Sequence, residues 1–156
     1  MKRRIGLLVT MLTLTALVIG AVGVTSVGAT KKGTEGCTPG YWKNHTGSWP
    51  PTGYSTSQKV VTVFGEASRY PALGNSTLLA ALAFGGGSGN EGAAEILLRA
   101  GVAALLNAAH PSVWYPRTPA DVVASVNAAL ASNSRDVMLS LAAQLDADNN
   151  LGCPLN

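Results

Sequence analysis

Two histidines and two cysteines are the residues of this chain whose types and spacing would do chemistry. His45 is followed by Trp49 and Pro51, and His110 at the same offsets by Trp114 and Pro116. Two imidazoles meeting at one site would make an acid–base pair for hydrolysis, or part of a metal centre. A typical zinc site needs three or four ligands, and no acidic residue stands at ligand spacing beside either histidine. No nucleophile elbow, phosphate loop or zinc-helix motif occurs either. A His-based hydrolase or metal-dependent enzyme is therefore the least supported class, and neither a metal nor a cofactor is expected. The competing use of both corners is structural, with the indoles covering helix ends and the histidines capping nearby carbonyls.

The stretch CTPGYWKNHTGSWPP, residues 37–51, concentrates the aromatic side chains. Tyr41, Trp42, Trp49 and Tyr54 are interleaved with Pro39, Pro50 and Pro51. Such a stiffened row would offer sugar rings or a proline-rich peptide a large contact area at small entropic cost. It equally suits an irregular segment that packs by ring area onto a helical bundle, the commoner use in small domains. The candidate binding residues are Tyr41, Trp42, His45, Trp49, Tyr54, His110 and Trp114. Asp146, Asp148 and Asn150 have the spacing that opens a calcium loop. Gly152 is one place late for its turn, however, and no bidentate Glu follows. Asn44-His45-Thr46 and Asn75-Ser76-Thr77 fit the glycosylation acceptor pattern.

These residues need a scaffold, and its compartment is set first. Lys2, Arg3 and Arg4 precede an uncharged run from Ile5 to Val24 that closes on Val27-Gly28-Ala29, the pattern of a signal peptide cleaved after residue 29. Membrane association is expected only through that N-terminal segment if it is left uncleaved. Three of the eleven basic residues lie in it, so eight remain against eight acidic ones. No basic stripe is left to follow a phosphate backbone, which excludes nucleic acid as a partner.

Residues 30–36 read as a polar tether, and residues 37–156 as one domain. In an oxidising compartment Cys37 and Cys153 form a disulfide that ties the start of the domain to its end. Between them, Ser55 to Gln58 caps a short helix over Val60–Phe64 that Gly65 stops. A second helix covers 73–84, starting near Asn75 or Ser76. Gly85 to Gly89 is a flexible link. Residues 91–109 form the central helix, its narrow polar face made by Glu91, Glu95, Arg99 and Asn107, with Glu95 and Arg99 supporting each other. His110-Pro111 ends it. Thr118, Pro119 and Asp121 open another helix, and Ser134 caps the last. The fold class is all-α: a small alanine-rich helical bundle with an irregular aromatic N-terminal segment tied to the C-terminus.

The unbroken Cys37-Thr-Pro-Gly-Tyr-Trp-Lys-Asn-His45, the following Trp49-Pro50, and the close Asn149-Asn150-Leu151-Gly152-Cys153 resemble a set of small secreted bacterial proteins that share this opening and close. The resemblance implies an exported domain and carries over no catalytic residue. Together these features predict a secreted or cell-envelope interaction module, non-catalytic, with a glycan or cell-envelope partner at the aromatic segment. A purely structural secreted domain is the alternative.

Overall fold

Alanine and leucine dominate the stretch from Ala93 to Ala109, a composition with high helix propensity and only a narrow polar face to give to water. A computed structural model, described over residues 33–156, builds the fold around that segment. We number the helices α1 Pro39–Asn44, α2 Pro71–Gly74, α3 Leu78–Ala81, α4 Gly89–Ala109, α5 Pro119–Ala131 and α6 Arg135–Asn149. No strand occurs among the described residues, so the all-α expectation holds.

Helix α4 lies at the centre, covered by α6 and α5 and, on other sides, by α1 and α3. Its Leu97, Leu98, Leu105 and Leu106 are fully buried with Val126 and Leu130 of α5 and Met138 and Leu145 of α6. Each such side chain contributes about 1.5–3 kcal/mol relative to exposure. The close fit of α5 depends on Gly101, where a Cβ would come within 3.0 Å of the Val126 side chain.

The expected helix boundaries on this side are found. Thr118 accepts from the Asp121 amide while the Asp121 carboxylate accepts from the Thr118 amide, a complete capping box. The Thr118 hydrogen bonds hold the Asp121 carboxyl below its usual range. Ser134 caps α6, and His110, pushed to extended backbone by Pro111, terminates α4.

The region 55–84 departs from expectation. In place of two helices it holds 3₁₀ turns at Val60–Thr62 and Gly65–Arg69, then the single turns α2 and α3. An isolated antiparallel bridge between Lys59 and Thr77 is the cause. Val60 donates its amide to Ser76 O at 2.9 Å and Leu78 donates to Gln58 O at 2.8 Å, which fixes both segments locally extended. The β-branched Val60, Val61 and Val63 are stiff at χ1 and accept this readily. Thr77, not Asn75 or Ser76, caps α3, and Gly65 begins a turn instead of ending a helix.

The glycine run is likewise fastened, not a loose link. Gly86 donates its amide to Glu95 Oε2 at 2.8 Å, Arg99 reaches Phe84 O at 2.9 Å, and Arg135 donates to the carbonyls of Gly87 and Gly89. Glu95 and Arg99 therefore serve this crossing, and they do not form the ion pair their spacing suggested. Gly92 admits the crossing, since a Cβ there would stand 2.3 Å from the Gly87 carbonyl.

Cys37 and Cys153 are joined, 116 positions apart in sequence, with Cα atoms 4.4 Å apart. Gly36 donates to Gly152 O at 2.9 Å and Glu35 to Trp114 O at 3.1 Å. The part of the expected tether that is described, 33–36, is thus docked on the domain, and Gly33 and Gly36 are buried. The expected signal peptide at 1–29 and residues 30–32 lie outside the described residues.

Candidate functional site

The two ends of the domain meet over a buried amide. Asn107, fully buried on α4, accepts through Oδ1 from the Cys37 amide at 2.8 Å and from Trp42 Nε1 at 3.0 Å. Its Nδ2 donates to Cys37 O at 2.8 Å and to Asn149 Oδ1 at 3.0 Å. Asn149, equally buried on α6, also accepts from the Tyr115 hydroxyl and donates to Ala100 O. Burial, and the nearby Asp148 carboxylate, push the Tyr115 phenol well above its usual range, so it stays a donor. Every buried side-chain polar atom among the described residues is satisfied, as an interior of low dielectric requires.

Asn107 corrects the expectation of a polar, outward position. A lone amide amid Val102–Ala109 was itself the signal, because a buried amide must find partners.

On that base Thr38 caps α1 by accepting from the Tyr41 amide, Pro39 fits its first turn, and Tyr41 and Trp42 turn inward. Trp42 is 0% exposed and Trp49 2%, and the Trp49 indole donates to Trp42 O at 3.0 Å. Tyr54 is half-buried, its phenol pushed up by burial. Of the two uses expected for this segment, packing holds for Trp42 and Trp49, which are core with their N–H groups partnered inside, and the binding platform of exposed indoles is corrected. Trp114 is 48% exposed and lies beside Glu35, whose carboxylate accepts its amide at 2.6 Å.

His45 is exposed and covers the buried Tyr41. The His45 ring stacks on Tyr41 with centroids 4.2 Å apart and planes at 11°, and His45 Nδ1 lies 2.9 Å from Tyr41 O, capping that carbonyl. The Tyr41 hydroxyl donates to Leu155 O at 3.1 Å, linking α1 to the C-terminal segment. Beside this pair lies a cleft of about 370 Å³. Gly36, Thr38, Gly40, Tyr41, Asn44 and His45 form one wall; Asn149, Asn150, Gly152, Cys153 and Asn156 form the other. Among the described residues no Lys, Arg, Asp or Glu side chain lines it. Sequence reading missed Gly40, Asn44 and Asn150 as cleft residues, since their segments lie at opposite ends of the domain's sequence and meet only in the fold.

The two histidines are not brought to a common site. His110 is buried, with its ring 6.0 Å from that of Trp42 and Nδ1 accepting the Ser112 amide at 3.2 Å. Burial lowers its pKa. It does not line the cleft, and it shares no hydrogen-bond partner with His45. Among the described residues no three His, Cys, Asp or Glu side chains cluster to hold a metal. Of the calcium-like trio, Asp148 pairs with Arg117 at 2.6 Å and the Asn150 amide donates to Asp146 O. Comparison with protein-family models, with curated proteins and with solved structures yields no match.

Proposed function

We propose that this chain is an exported, non-catalytic interaction module of the cell surface or extracellular space, which makes its contacts through the cleft at the disulfide seam. The disulfide fits an oxidising, extracellular-type environment. The N-terminal basic, apolar and small-residue pattern supports export from the cytosol.

The observation that carries the contact reading is the cleft itself. There the exposed His45 ring, stacked on the buried Tyr41, faces outward, and the walls are joined covalently and so are preorganised. A catalytic use of the histidines is disfavoured by their separate partners.

The test is hydrogen–deuterium exchange on the exported protein, with and without isolated cell-envelope material. Protection confined to residues 36–45 and 149–153 is expected. Protection centred on Trp114, or none, would refute the assignment.

A further inference from the structure

We infer that the cleft takes a neutral saccharide; this rests on the proposed reading of the cleft as the contact surface. The lining chemistry selects the ligand class. Among the described residues neither wall carries a Lys or Arg side chain, so a phosphate or carboxylate entering the cleft meets no fixed positive charge to offset its desolvation. Tyr41, the aromatic carbon ring in its lining, is buried beneath His45, so a hydrophobic side chain of a peptide would find little open ring surface there.

What the walls do present is amide. Asn44 is exposed and its side chain makes no hydrogen bond within the described residues, while Asn150 uses one amide hydrogen on Asp146 O and keeps its oxygen free. A carboxamide both donates and accepts, and so does each hydroxyl of a sugar, so amides in both walls match hydroxyls of either orientation. The His45 ring, held flat against Tyr41, adds a stiff face for the C–H side of a pyranose. At about 370 Å³ the cleft sits at the small end of the roughly 300–1,000 Å³ typical of ligand sites. It would hold one end or a short stretch of a chain.

Gly40 provides a test that spares the fold. It is exposed and lines the cleft, and a Cβ there meets nothing nearer than Thr38 Oγ1 at 3.6 Å. Gly40→Phe therefore fills the cleft without touching the core, and Gly40→Ala is its small control. The measurement is a two-dimensional amide NMR titration of the oxidised protein with cellotetraose, maltotetraose, mannotetraose and chitotetraose. A galacturonic acid tetramer and a proline-rich decapeptide serve as the charged and peptide arms.

At least one neutral sugar is expected to shift resonances of residues 36–45 and 149–153. Affinity should fall at least tenfold in Gly40→Phe and in Asn44→Ala, and hold in Gly40→Ala, with unchanged circular dichroism. If only the acidic sugar or the peptide moves these resonances, the saccharide class is wrong while the cleft remains the contact surface. If no compound moves them yet envelope material still protects them, the class is wrong again. If neither compounds nor envelope material touches the cleft, both readings fall.

Discussion

Asn107 grips Cys37 by both edges of its peptide backbone, taking its N–H and giving a hydrogen to its carbonyl, each at 2.8 Å. A side-chain amide here does what a neighbouring strand does in a sheet, and it does so one residue-width from the disulfide. The covalent clasp is thus backed by a hydrogen-bonded one, with Trp42 and Asn149 attached to the same amide.

Replacing Asn107 by Ala leaves the Cys37 N–H and C=O and the Trp42 N–H unpaired in the interior. At about 1–3 kcal/mol for each unmet buried group, and allowing for some entry of water, a loss of about 3–5 kcal/mol is expected. Urea unfolding of the oxidised protein measures it, and a loss below about 1 kcal/mol would show the network to be dispensable.

The three indoles should separate into two groups. Trp42→Ala and Trp49→Ala each remove a buried ring, and should cost about 3–5 kcal/mol. Trp114→Ala, at a half-exposed position, should cost under about 1 kcal/mol. Thermal melts of the three variants check the ranking.

Much of this was readable beforehand, and the division has a physical basis. The Thr118–Asp121 box, the Ser134 cap and the His110-Pro111 stop are local devices, decided within four residues. The cysteine pair followed from number and compartment. What escaped is long-range: the Asn107–Cys37 contact crosses 70 positions, and the Lys59–Thr77 bridge overrides local helix signals through pairing that no single window contains. The aromatic segment was readable as a cluster, but its inward orientation depends on the same amide. The cleft exists only once residues 36–45 and 149–156 are side by side.

His110 predicts a pH dependence. Its folded pKa lies below the ordinary 6.5 because burial disfavours the cation, and Nδ1 must keep its lone pair for the Ser112 amide. The unfolded chain therefore takes up the proton first as pH falls, so this contribution is complete above the unfolded value and is lost as pH drops toward the folded one. His110→Asn should keep the turn, since an Asn oxygen also accepts from the amide two residues on, and should flatten the profile. Unfolding midpoints of both proteins between about pH 7.5 and pH 5, where histidines titrate, give the difference. Parallel profiles would refute it.

Gly92→Ala tests whether the glycine crossing is held. Alanine favours a helix interior by about 1 kcal/mol, but its methyl would meet the Gly87 carbonyl. Steric displacement, at about 1–3 kcal/mol, should dominate: the variant is expected to be less stable and to become cleavable by proteases within residues 85–89. Gained stability would mean that the crossing yields freely.

The Asn107 amide that takes the Trp42 N–H is itself bonded to Asn149 of α6, so the network around the first segment of the domain is complete only when nearly the last has arrived. Pairings at such sequence distance form late, after local helices. A chain threaded N-terminus first through a translocation channel would carry its indoles bare for most of the passage, and would stay loose enough to thread. Its final compaction, and the oxidation that seals it, would then fall on the far side of the membrane.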